Sequence, residues 1–217
     1  MAADTVVLTF DDAVSNHATF VAPLLRSLGF QATFFLCEFP PDFAVNKRQY
    51  MTWEQIRELH AADFELGNHT LTHAGVRELS EEEFERELLA LEDRFRQLGL
   101  PPSVSFAYPG GPGSPAAEPV LRRHKFRCGR TVENERFWRP GHDNPYLLPA
   151  TAVHGPGVER LKQVIDSAAP GEVPVLVYHG VPDELHPWVD TPPEAFREQM
   201  LLLKRSGIRV AALRELV

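Results

Sequence analysis

Cysteine is scarce. There are two in 217 residues, Cys37 and Cys128, both in apolar stretches. That excludes a disulfide scaffold and any CxxC-type metal ribbon, and leaves two buried, reduced thiols. Positive charge is also in deficit: 22 Lys and Arg against 30 Asp and Glu give a net charge of −8. A general nucleic-acid binder would carry a basic stripe, so nucleic acid is excluded as the main partner. No apolar run is long enough to span a membrane. The opening MAADTVVLTF has neither a basic start nor a long apolar stretch. The chain therefore reads as cytoplasmic as written, or exported if a leader was trimmed away. Repeats and low-complexity linkers are absent as well.

What is present is a globular composition, 43% hydrophobic and 24% charged, sized for one domain over residues 1–217. Short apolar runs alternate with amphipathic segments. Strands are predicted at 5–10, 30–37, 64–68, 103–108, 126–132, 173–180 and 208–213. Helices are predicted between them. One covers 16–29 and stops at Gly29. Another is opened by a Thr52/Gln55 capping box and runs to about residue 62. A third is opened by Ser80 and Glu83, with Phe84, Leu88, Leu91, Phe95 and Leu98 on one stripe. Further helices end near 124 and cover 158–169. A last one is capped by Thr191 and begins at Pro192. Residues 133–157 read as mostly loop. Strand–helix alternation along the whole chain implies an α/β fold, a distorted or incomplete (β/α) barrel of about seven parallel strands. In such barrels the chemistry lies past the C-terminal ends of the strands.

Four of those ends carry reactive groups. The first strand runs into Asp11 and Asp12, and FELGN into His69 and His73 of HTLTH. SVSFAY runs into Pro109 and Gly110, and VPVLVY into His179. Adjacent carboxylates repel, and burying either is costly without a partner. On a helical turn, histidines four apart share a face and can grip one divalent ion. The spacing matches HExxH, but the Glu that would serve as the base there is missing. Two histidines and one Asp make a catalytic-type metal site, which leaves the other Asp near the bound water as a base. A cation also relieves the repulsion between the two carboxylates. Zinc is the default on ligand type; cobalt, nickel or iron would also fit. DDAV lacks the DxD spacing of a phosphatase nucleophile.

TFDD, HTLTH, FAYPGG and VLVYHG, in this order, resemble polysaccharide deacetylases of the NodB-homology type, carbohydrate esterase family 4, in the branch with a FAYPxG third motif. The resemblance covers nearly the whole chain and implies a distorted (β/α) barrel. It further implies that Asp11 is the general base, that Asp12, His69 and His73 are the metal ligands, and that His179 is the general acid. The backbone N–H of Tyr108 is implied as the oxyanion donor. The implied reaction is hydrolysis of an N-acetyl amide on a sugar, releasing acetate and a free amine.

Three departures stand out. Ala13 and Val14 replace the Gly-Pro that often follows TFDD, so the turn must form without glycine's freedom. The third-motif Arg that orients the catalytic Asp is missing, and Arg130, in CGRTV on the neighbouring strand, is the candidate to supply that cation. No Asp/Trp fourth motif is recognisable. Trp138 or Trp188 could instead offer an aromatic face to a sugar ring. Pro109, Gly110, Arg130 and Trp188 complete the substrate-side candidates. Of the other histidines, His60 reads as packed on a helix, and His17, His124, His142, His154 and His186 fall in loops or caps. His17 and His186 lie near the candidate segments and are secondary candidates for substrate contact. Two other functions stay open: a cyclic-amide hydrolase resembling allantoinases, and a carbohydrate-binding member without turnover. The oligomeric state is not legible in the sequence.

Overall fold

The computed structural model describes residues 3–132 and 136–217; part of the loop predicted at 133–157 therefore lies outside the described residues. Among the described residues, eight strands form one sheet: β1 (Thr5–Phe10), β2 (Thr33–Leu36), β3 (Glu65–Asn68), β4 (Ser105–Ala107), β5 (Cys128–Arg130), β6 (Thr151–Ala152), β7 (Val175–Tyr178) and β8 (Arg209–Ala211). Their spatial order is β5-β4-β3-β2-β1-β7-β6, and every pairing is parallel. β8 pairs with Thr5–Val7 of β1, beside the start of β2. The sheet curls into a distorted barrel. Leu148 bridges β5 at Arg130, and three residues later Thr151 and Ala152 pair with β7, so one short segment touches both edges.

Helices cover the outside: α1 (Ala22–Leu28), α2 (Asp42–Val45), α3 (Trp53–Ala61), α4 (Glu81–Gln97), α5 (Glu118–Arg123), α6 (Glu159–Ser167) and α7 (Pro193–Ser206). Both faces of the central strands are therefore buried, which is why they read as continuous apolar runs. Inward residues Val7, Phe35, Ala107, Cys128, Val175 and Val177 fill the barrel. Outward residues such as Leu8, Phe34 and Leu176 pack on Leu25, Ile56 and Phe196 of the helices. Cys37 and Cys128 are free and buried. No described helix is long and apolar enough to cross a membrane.

Both capping boxes form. Thr52 Oγ1 accepts from Gln55 N–H at 3.1 Å while Gln55 Oε1 accepts from Thr52 N–H at 2.8 Å; Ser80 and Glu83 do the same at 3.2 and 2.8 Å. Phe84, Leu88, Leu91 and Phe95 are the buried stripe of α4. Three expectations need correction. The segment 16–29 starts as a wider π turn, His17–Val21, before α1 takes over. Thr191 does not cap α7: extended Pro192 takes that position and Pro193 starts the helix, where a missing N–H costs nothing. β6 lies inside the stretch read as loop. Two residues are too few for a period-two pattern to register.

Candidate active site and possible metal centre

Side chains alternate along a strand, so the faces of the sheet decide which residues reach the barrel mouth. Along β1 the inward series Val7, Thr9 continues to Asp11. Phe35 of β2 leads to Cys37, Gly67 of β3 to His69, and Val175 and Val177 of β7 to His179. Asp11, Asp12, His69, His73 and His179 all line one cavity of about 530 Å³.

Asp12, His69 and His73 bring three ligand atoms within 4.8 Å of one another. Asp12 Oδ1 lies 3.6 Å from His69 Nε2 and 3.5 Å from His73 Nε2. Tetrahedral ligands about 2.0–2.1 Å from a zinc ion sit about 3.3 Å apart, so this spacing is close to a ligand set. His69 Nδ1 donates to the Ala107 carbonyl at 2.8 Å. A carbonyl can only accept, so the proton is on Nδ1 and Nε2 keeps a free lone pair toward Asp12. Burial, then the charges of Asp11 and Asp183, push the Asp12 pKa up. A buried carboxylate under that pressure is what a divalent cation would relieve. The residues present therefore fit such an ion.

The histidines do not meet by way of a helical turn, as their spacing suggested. Residues 69–75 form a loop in which Thr70 (φ 57°) and His73 (φ 58°) are left-handed, and the two rings meet edge-on at 4.9 Å. The loop hangs on α4: Thr72 N–H donates to Glu87 Oε2 at 2.8 Å, and Asn68 Nδ2 reaches Leu88 O and Glu92 Oε1 at 3.0 and 2.8 Å. Asp12 (φ 74°) and Ala13 (φ 52°) are left-handed too, so the turn after β1 forms in spite of the missing glycine. Four of the six left-handed non-glycine residues described thus lie in the two motifs that build the cluster.

Asp11 is buried against Arg130, whose Nη2 lies 2.5 and 2.6 Å from its two oxygens. Burial alone would raise the Asp11 pKa. The Arg130 charge, followed by His69 and His179, outweighs it and lowers the carboxyl to about 2. Arg130 is fully buried, stacked over the Phe35 ring at 5.1 Å. It sits beneath Asp11 and not on the cavity wall, so it reaches the carboxylate and no substrate. His179 Nε2 stands 4.0 Å from Asp11 Oδ2 and 3.9 Å from Asp12 Oδ2. Its backbone carbonyl accepts from His17 Nε2 at 2.9 Å. His17 is buried between Phe10 and Phe34 and stays off the cavity, so it supports β7 and does not meet a substrate.

The third motif also needs correction. Tyr108 N–H is already committed to the Arg130 carbonyl at 3.0 Å, as part of the β4–β5 pairing, and the Tyr108 side chain is buried with its hydroxyl on Tyr146 O at 3.0 Å. Gly110 lines the cavity, and its N–H has no acceptor among the described residues. Pro109 is buried and borders an adjoining, smaller hollow that shares Gly110 and His73 with the main cavity. Trp188 stands on the rim, 69% exposed, edge-on to His186 at 5.4 Å, and both line the cavity. Trp138 is buried in the barrel core instead. His154 lines the cavity as well, and the sequence reading passed over it because β6 was not legible.

A family model described as polysaccharide deacetylase matches residues 1–129. A peptidoglycan-N-acetylglucosamine deacetylase of Bacillus cereus is 26% identical over 214 residues, covering 98% of this chain and 87% of its own. Two examples stand for the solved structures that share the fold. A family 4 carbohydrate esterase of Streptomyces lividans in complex with acetate has a TM-score of 0.61 at 17% identity over 98% of this chain and 93% of that one. A wild-type family 4 pseudoenzyme of Bacillus anthracis has a TM-score of 0.64 at 19% identity over 99% and 65%. With the model spanning more than half of the sequence and the fold agreeing along nearly all of it, this chain belongs to the polysaccharide deacetylase family.

Proposed function

We propose that this protein is a metal-dependent N-deacetylase that hydrolyses the acetamide of an N-acetylated sugar, with N-acetylglucosamine in a glycan as the leading substrate. One observation carries the reading: the Arg130-held Asp11 carboxylate lies 4.0 Å from His69 Nε2 and 4.0 Å from His179 Nε2, beside the Asp12–His69–His73 cluster. The Bacillus cereus relative supports the choice of sugar.

Asp12, His69 and His73 would hold the divalent ion, zinc by ligand type, with cobalt, nickel or iron compatible. Bound there, it would acidify water and polarise the amide carbonyl. Asp11, kept ionised by Arg130, takes a proton from the attacking water. Gly110 N–H, on the cavity wall and without an acceptor among the described residues, donates to the oxygen on which negative charge builds; Tyr108 N–H is not available for this. His179 protonates the departing amine, which cannot leave as an anion at neutral pH. Burial lowers the pKa of the His179 imidazole, and the Asp11 carboxylate pulls it back up, favouring the charged ring that donates. The water oxygen ends in acetate and the sugar keeps a free amine. Trp188 offers its exposed face to a sugar ring.

A pseudoenzyme among the fold relatives makes turnover the point to test. Acetate release from N-acetylglucosamine oligomers should require added zinc, stop with a chelator and return when zinc is restored. Asp11→Asn and His179→Ala should each lose about 10²-fold or more. Opening of a cyclic amide without acetate would instead favour an allantoinase-like hydrolase. Oligomer binding without turnover would favour a carbohydrate-binding role.

A further inference from the structure

β6 is the least conspicuous strand, yet it runs beside the one that carries His179. Ala152 pairs in register with Val177, and Val153 N–H donates to Val177 O at 3.3 Å, so the two chains stay together past the end of β6. Two residues further along each chain stand His154 and His179. Alternation gives them the inward face of Ala152 and Val177, and all four line the main cavity. His154 Nδ1 is sealed from solvent without a partner, and Nε2 makes no hydrogen bond to any described residue. Nε2 is therefore the nitrogen able to face the cavity. Burial, followed by the Arg160 charge, lowers the imidazole pKa, which keeps it neutral and able to donate or accept. A polar ring held in the cavity wall with no hydrogen-bond partner among the described residues is suited to a partner from outside.

We propose that His154 is a substrate-positioning residue: its Nε2 hydrogen-bonds a sugar hydroxyl on the side where the amine departs. This rests on the deacetylase reading, in which the neighbouring His179 protonates that amine. In a 2-acetamido sugar the carbon next to the one bearing nitrogen carries a hydroxyl or the glycosidic oxygen. A hydrogen-bonding group one strand away from the proton donor would meet that oxygen.

The test is steady-state acetate release from the N-acetylglucosamine tetramer by zinc-loaded wild type and by His154→Ala, His154→Gln and His154→Asn. The Gln amide nitrogen reaches the place of Nε2, whereas the shorter Asn reaches only that of Nδ1. Alanine is expected to raise KM about tenfold while kcat moves by less than about threefold, the size of one lost neutral hydrogen bond. Gln should recover most of the loss and Asn little of it. That contrast carries the test if the alanine variant fails to fold. Zinc content and Tm should match wild type throughout. Unchanged KM in the alanine or asparagine variant, with acetate release intact, would overturn the proposal and leave the deacetylase reading standing. Equal rescue by Gln and Asn would reduce His154 to packing and would also overturn it. No acetate from any of the four proteins, wild type included, would instead remove the deacetylase reading, and this inference with it.

Discussion

A carboxylate buried as deeply as Asp11 would ordinarily titrate high, and the Arg130 guanidinium reverses this. Arg130→Lys keeps a charge but loses the planar fork, so Asp11 is held less firmly. The acid limb of the kcat/KM profile should move to higher pH, because a base with a raised pKa is protonated sooner as pH falls. The rate at its optimum should drop by about 10- to 100-fold. Arg130→Met strands a buried anion and should cost about 3–5 kcal/mol in urea unfolding. Asp12→Ala should fold yet carry far less zinc after dialysis, as read by metal analysis. At this scale the carboxylates and histidines that line the cavity were legible because they follow strands. Which backbone N–H is free was not: Tyr108 or Gly110 is decided by the β4–β5 pairing, and one chain read in isolation does not show its neighbour's carbonyls.

Elements place these groups through small local choices. Gly67 on β3 is one: a Cβ there would lie 2.5 Å from the Phe35 ring, which occupies the barrel beneath Arg130. Gly67→Ala should destabilise by about 1–3 kcal/mol through overpacking, and adding Phe35→Leu should recover part of that loss in the double variant. Helix α4 is another, since it anchors the His69–His73 loop through Glu87, Leu88 and Glu92. Ser80→Ala removes its N-cap and should lower stability by about 1 kcal/mol with kcat nearly unchanged. Both capping boxes and the α4 stripe were readable because their signals are local. The two-residue β6 and the left-handed turns at Asp12, Thr70 and His73 were not, because tertiary contacts impose them.

Across the whole molecule, the barrel mouth is supported from outside by His17, whose buried ring donates to the carbonyl of His179. Burial lowers its pKa from 6.5 to about 4. The unfolded chain therefore takes up this proton first as pH falls. The His17 contribution is full above about pH 6.5 and is lost between there and about pH 4, amounting to about 3 kcal/mol. Urea melts across that window should show the decline, and His17→Gln should flatten it.

The barrel, its alternation and its strand-end cluster of carboxylates and histidines were legible from one sequence; the closing segment between β5 and β7 was not, and it brings His154 to the cavity. The deciding measurement counts both products in one sample: acetate and free amine from the zinc-loaded protein with an N-acetylglucosamine oligomer, wild type beside Asp11→Asn. Deacetylation at this site predicts the two in equal amounts from wild type and neither from the variant. Acetate formed equally well by Asp11→Asn, or no acetate from wild type across oligomer lengths, would contradict it.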